Sequence, residues 1–157
     1  MLQLTINQDT LPETIEITDD EIITFPNGLV GCAAWRRFVL LSDDEIPGLH
    51  TFYCLDDSRI SFLVTDPFLV EPAYRAAISP TDLGRIGLDQ PEDAVLLCIL
   101  TTHTDPVRIT ANLLGPLILN PRAQLGVQLV LIDSSYTTRH PLQLASATEG
   151  EAASCSY

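Results

Sequence analysis

Between Thr110 and Leu142 the chain reads TANLLGPLILNPRAQLGVQLVLIDSSYTTRHPL, and this stretch constrains the fold more than any other. Leu117, Ile118 and Leu119 form an apolar run that stops at Asn120-Pro121. A short connection, Pro121–Gly126, follows, and Val127–Ile132 resumes the apolar run. Two β-rich runs on either side of a brief turn with Pro and Gly are the pattern of a hairpin. A polar exit then ends in Arg139-His140-Pro141.

The rest of the chain repeats this grammar. Leu2–Ile6 and Thr14–Thr18 alternate apolar and polar residues, the period of a half-buried strand, with a turn between them. Ile22–Phe25 is a further short strand, and Pro26-Asn27-Gly28 breaks it. Ala33–Arg37 reads as one helical turn and Phe38–Leu41 as a strand. Leu49–Leu55 and Ile60–Val64 flank an Asp-rich turn, a second hairpin. Pro67 and Pro72 bracket Phe68–Glu71, which reads as an edge strand or irregular crossover. Ser79-Pro80-Thr81-Asp82 starts a helix with Ser as N-cap and Pro at the first position, and Gly87 ends it. Ala94–Leu100 predicts a central strand, and Thr101–Arg108 a polar loop. A parallel βαβ fold needs crossover helices for which the chain has no room. The expectation is a mostly β protein: a small, largely antiparallel β-barrel-like domain with one short helix. It spans residues 1–142, and residues 143–157 are expected to be a disordered tail.

Charge narrows the partners. There are 21 acidic residues against 8 basic ones, a formal net charge of −13, and every basic residue is Arg. Such a surface repels phosphate backbones, which argues against direct nucleic-acid binding. It either attracts basic protein partners or serves solubility alone. No apolar run approaches the roughly 20 residues of a membrane span, and no secretory signal is visible at the N-terminus. Cys32, Cys54, Cys98 and Cys155 have no zinc-type spacing. Cys54 and Cys98 sit in apolar runs and read as small buried hydrophobes, so a reduced, cytoplasmic setting is expected.

No catalytic set emerges. His50, His103 and His140 form no metal-binding spacing with one another. No Ser sits in a nucleophile elbow, and no Gly-rich loop carries the Lys or Ser/Thr of a phosphate cradle. The paired carboxylates fall where adjacent side chains diverge or are solvated. The expectation is therefore a binding protein, not an enzyme, without metal or cofactor. Four features are candidate partner contacts. Asp43, Asp44 and Glu45, with Asp56 and Asp57, form either a patch for basic residues or solvated turns. Phe68, Leu69, Val70 and Tyr74 form either an exposed apolar edge or ordinary core. Tyr136, Arg139 and His140 are either recognition residues or a clamp in which Arg139 pairs with a carboxylate. Asn112 and Asn120 read as strand-end residues whose side chains satisfy turns.

A series of short motifs occurs in order along the chain: Ile23-Thr24-Phe25-Pro26-Asn27-Gly28, Phe38-Val39-Leu40-Leu41 and Phe62-Leu63-Val64-Thr65-Asp66-Pro67-Phe68. Pro91-Glu92-Asp93-Ala94-Val95-Leu96 follows, then Thr110-Ala111-Asn112-Leu113 leading to Gly115-Pro116-Leu117-Ile118-Leu119-Asn120, and finally Tyr136 with Thr138-Arg139-His140-Pro141-Leu142. In this order the motifs resemble the flagellar assembly factors of the FliW family. The chain departs from that pattern at Cys32, at Gln8–Glu13 and after Leu142. The resemblance implies a compact β-barrel that catalyses nothing and holds two mutually exclusive partners. One is flagellin before export. The other is CsrA, a small basic RNA-binding dimer that represses translation of flagellin message. On this reading the acidic face meets CsrA, and an apolar groove or edge takes the amphipathic terminal helix of flagellin. A small-ligand-binding β-barrel is the alternative and predicts an apolar pocket. An enzyme built on His140, Arg139 and nearby acids predicts those side chains in one cleft.

Overall fold

The computed structural model describes residues 2–7, 12–42, 46–104, 107–142, 147–149 and 151–153. Strands β1 (Leu2–Asn7) and β2 (Pro12–Ile17) form a separate antiparallel hairpin. The main sheet contains β3 (Ile22–Thr24), β4 (Arg37–Ser42), β5 (Leu49–Cys54), β6 (Ser61–Thr65), β7 (Val95–Thr104), β8 (Val107–Ala111), β9 (Leu117–Asn120), β10 (Leu125–Gln128) and β11 (His140–Pro141). Two short helices, α1 (Pro67–Val70) and α2 (Pro80–Arg85), connect β6 to β7. Of the expected tail, Ala147–Glu149 (β12) pairs with Glu151–Ala153 (β13) apart from the main sheet.

The sheet closes on itself. Strand β7 pairs with β6 along one edge, through Cys98–Leu100. Along the other it pairs first with β9, through Val95–Leu97, and then with β8, through Leu100–Thr104. Because β9 continues through β10 to β3, seven strands form a ring: β7, β6, β5, β4, β3, β10 and β9. Every pairing in the ring is antiparallel except β3–β10, a parallel contact of Thr24 with Leu125 alone. Closure removes the open edges of these seven strands, while β8 and β11 extend the sheet beyond the ring to an edge.

Three expectations are corrected. Thr101–Arg108 is ladder for most of its length, because β-branched threonines suit an extended ribbon even where both faces are wet. Phe68–Glu71 is not a strand. Pro67 stands at the first helical position and Asp66 caps the turn, its carboxylate accepting the Phe68 amide at 2.9 Å. The described residues thus hold two short α-helices, not one. Ala33–Arg37 is a turn that runs directly into β4. Ser79 caps α2 as its sequence implies: its hydroxyl accepts the Asp82 amide at 3.1 Å.

Period-two alternation sorts each strand between two environments. Phe38, Phe52, Val64, Leu97, Leu117 and Leu119 point into the barrel. There Phe38 stacks on Phe52 at 5.1 Å between ring centroids, and Phe25 meets both edge-on at 5.4 and 5.9 Å. Aromatic pairs of this geometry contribute roughly 0.5–1.5 kcal/mol each beyond their burial. The barrel interior is therefore packed with side chains. The alternate residues Cys98, Leu100 and Ile118 face outward into a second core with Tyr74, Ile86, Leu113, Leu129 and Leu131. Val39 faces a third, small core under Ile17 of the β1–β2 hairpin.

Candidate functional site

The second core carries an aromatic row to the surface. Phe68 on α1 is 43% exposed and lies edge-on to Tyr74, at 6.0 Å. Tyr74 is completely buried, and its hydroxyl donates to the Leu113 carbonyl at 2.7 Å. Its ring lies 4.6 Å from that of Tyr136, which is half-buried. Burial raises the Tyr74 hydroxyl far above its ordinary value, with Cys98 and Tyr136 adding to the effect. The expected apolar group is thus divided. Phe68 and Leu69 (66% exposed) face solvent, whereas Tyr74 is core and presents no exposed surface.

The exit segment forms a groove. Beyond β10 the chain continues alongside Leu114–Pro116: Leu129 donates its amide to Pro116 and Leu131 to Leu114. Leu129 and Leu131 turn inward, so Val130 (47% exposed) and Ile132 (80% exposed) turn outward. With Arg75, Ala77, Asp133 and Tyr136 they line an open groove of about 440 Å³. The Tyr136 hydroxyl accepts the Arg75 amide at 2.8 Å and ties the two walls together. The sequence reading missed Arg75, Val130 and Ile132. The Val127–Ile132 run was visible, but nothing in it told which alternate residues would be covered.

Arg139 is exposed and forms no ion pair among the described residues, so the expected clamp to a carboxylate is absent there. Its amide donates to the Thr137 hydroxyl at 3.4 Å. His140 lies in β11, opposite Ala111, and is half-buried. Tyr136, Arg139 and His140 share one segment, but Tyr136 belongs to the groove and His140 to the sheet edge. Asn112 and Asn120 serve the backbone as expected: Asn112 accepts the Gly115 amide at 2.8 Å, and Asn120 donates to the Ile86 carbonyl at 2.7 Å.

Asp43, Asp44 and Glu45 lie outside the described residues. Asp56 and Asp57 are engaged by the chain's own arginines. Asp56 accepts the amides of Arg36 and Arg37, each at 2.8 Å, and pairs with the Arg37 guanidinium at 3.2 Å. Burial works to raise the Asp56 carboxyl, but those amides and the guanidinium together hold it below its ordinary value. Asp57 is lowered chiefly by the side-chain hydrogen bond from Arg59, 2.9 Å away. Much of the charge of this turn is thus neutralised internally.

The histidines make local bonds: His50 to the Ser42 hydroxyl at 3.0 Å and His103 to the Thr110 hydroxyl at 3.2 Å. Among the described residues no group of three His, Cys, Asp or Glu side chains could hold a metal ion. Cys54 and Cys98 are buried, and burial pushes the Cys98 thiol up to about 12, far from a reactive thiolate. No described helix is long and apolar enough to cross a membrane.

The family model of the FliW protein matches residues 6–142. The flagellar assembly factor FliW of Natranaerobius thermophilus is 37% identical over 129 residues, covering 82% of this chain and 85% of that protein. That of Moorella thermoacetica is 32% identical over 139 residues, covering 88% of each. A crystal structure of the flagellar assembly factor FliW superposes with a TM-score of 0.77 at 28% identity, over 87% of this chain and 95% of that one. The seven-strand barrel, its two short helices and the ordered motifs thus coincide with one family along nearly the whole described body, and the chain belongs to the FliW family of flagellar assembly factors.

Proposed function

We propose that this chain is a non-catalytic assembly factor of the cytoplasm that holds flagellin and exchanges it for CsrA, relieving repression of flagellin translation. The observation that supports this reading best is where the apolar surface lies. The barrel interior is filled by Phe25, Phe38 and Phe52, while Phe68, Leu69, Val130 and Ile132 remain exposed on the outside. A packed barrel with apolar groups displayed around it suits protein guests better than an enclosed small ligand. The net charge of −13 favours encounter with a basic partner such as CsrA.

The two guests compete, and if one lowers the affinity for the other the effect is reciprocal. Titration of the pure protein with flagellin and with CsrA, singly and then together, tests the exchange. The expected outcome is that each binds alone and each displaces the other. A stable ternary complex, or no binding of either guest, refutes the proposal. Reversing Asp43, Asp44 and Glu45 to Lys should weaken CsrA and flatten its salt dependence. Phe68→Ala should weaken flagellin while leaving the fold intact.

A further inference from the structure

The groove between residues 75–78 and 130–136 has walls of a particular kind. Residues 75–78 belong to neither helix nor sheet; on the other side 129–131 run alongside Leu114–Pro116, and the chain then turns over 132–135. The amides of Ala76, Ala77 and Ile78 donate to no described residue, and the carbonyls of residues 75–78 accept from none. Across the groove the Val130 amide is likewise unpaired among the described residues. The only amide of the 75–78 wall with a described partner is that of Arg75, held by the Tyr136 hydroxyl where the walls meet.

Exposed rows of unpaired backbone groups are what an incoming strand uses. A helix offers them nothing, because its own amides and carbonyls are already bonded along its length. The side chains around the groove set the rest of the occupant's chemistry. Val130 and Ile132 present alternate apolar groups, the spacing at which a strand places side chains on one face. Arg75 is an exposed cation with no ion pair among the described residues, in a chain rich in carboxylates. Asp133 lines the same groove, so a negative group is favoured at Arg75 and disfavoured at Asp133.

We infer that this groove binds an extended, apolar segment of flagellin by strand addition, with a carboxylate of that segment on Arg75. This rests on the reading that the chain holds flagellin. It also assigns the groove to that guest, since a basic partner gains nothing from Arg75. The binding mode differs from the helix docking that the family resemblance led us to expect.

Amide hydrogen exchange of the full chain, free and saturated with flagellin, tests it directly. In the free protein the amides of Ala76, Ala77, Ile78 and Val130 exchange rapidly. With flagellin bound, at least Ala77 and Val130 should slow by roughly tenfold or more, as buried strand amides do. In parallel, Arg75→Glu should weaken flagellin by roughly tenfold and leave CsrA unchanged. Binding of flagellin with those amides still exchanging at the free rate overturns strand addition. Equal loss of both guests in Arg75→Glu overturns the assignment of the groove. Failure of the wild-type protein to bind flagellin at all overturns instead the functional reading on which the inference rests.

Discussion

Tyr74→Phe separates a structural role from a binding role at a residue that the sequence suggested as a contact. The substitution removes one oxygen. It keeps the ring that packs 4.6 Å from Tyr136 and 6.0 Å from Phe68. What is lost is the 2.7 Å hydrogen bond to the Leu113 carbonyl, inside a site with no solvent exposure. A buried acceptor left without a donor costs about 1–3 kcal/mol. For a chain of this size each kcal/mol lowers the melting temperature by roughly 2–4 °C, so the variant should melt roughly 2–12 °C lower. The hydroxyl also sets an alkaline limit. Its folded value is raised above the ordinary 10.0, so the stability it contributes is fully present below pH 10 and declines as the pH rises beyond it. In Tyr74→Phe that part of the alkaline decline disappears. Calorimetry between neutral pH and pH 11 measures both effects. A melting temperature within about one degree of wild type at neutral pH would show that water or a rearrangement satisfies Leu113. Affinity for flagellin per folded molecule should be nearly unchanged.

Three further predictions concern the scaffold. A Cβ at Gly126 would stand 2.6 Å from Phe25 Cζ and 2.9 Å from Leu119 Cδ2, so Gly126→Ala should destabilise by about 1–3 kcal/mol through overpacking; chemical denaturation measures it. Asp56→Ala frees two amides and the Arg37 guanidinium and should cost about 1–3 kcal/mol. Because the folded Asp56 carboxyl lies below its ordinary 3.8, wild type loses this contribution as the pH falls below 3.8, and the variant's acid limb is correspondingly shallower. The Cys98 thiol, raised to about 12 from 9.0, contributes stability that is lost as the pH rises through that window. Cys98→Ala should therefore show a flatter stability profile there, and Cys98 of the native protein should resist thiol reagents until unfolding.

The legible parts of this chain are those whose signal is local. Asn120-Pro121 and the apolar runs beside it announced a hairpin here, although its second strand is Leu125–Gln128 and not Val127–Ile132, and Ser79-Pro80 announced α2, because turns and caps are decided within a few residues. The same logic existed at Asp66-Pro67, where a capping Asp precedes Pro as Ser79 precedes Pro80. The apolar Phe68-Leu69-Val70 run outweighs it in the sequence and suggests an edge strand or irregular crossover instead. Barrel closure was not legible in detail, since it depends on β7 being long enough to serve β9 and β8 along one edge. Nor was the division of Phe68 from Tyr74, or of Val130 and Ile132 from Leu129 and Leu131. In each case alternate residues of one apolar run face opposite ways, and only the packing partners decide which side is covered. Asp56 looked free because Arg36 and Arg37 become its neighbours only once β4 and β5 have paired, whereas Arg59, two residues from Asp57 in the same turn, was a partner already visible in the sequence.

The closure itself bears on the groove. Strand β3 meets β10 at the single pair Thr24–Leu125, the narrowest seam of the ring. Gln124 reinforces it three ways. Its carbonyl accepts the Thr24 amide at 2.9 Å, and its side-chain amide donates to the Ile22 carbonyl at 2.9 Å and to that of Asp19. To do so it adopts a left-handed backbone, φ 58°, which side chains other than Gly rarely take. The strand that starts here, β10, continues into Leu129–Ile132, one wall of the groove. A loosened seam would therefore let that wall move as well. Gln124→Ala keeps the backbone strain and removes both side-chain bonds, so it should lower stability and weaken flagellin together. Gln124→Gly removes the same bonds but relieves the strain, so it should recover part of the stability without recovering the affinity. If instead Gln124→Ala lowers the melting temperature and leaves flagellin affinity untouched, the seam and the groove are mechanically independent, and Leu129 and Leu131 alone hold the groove wall in place.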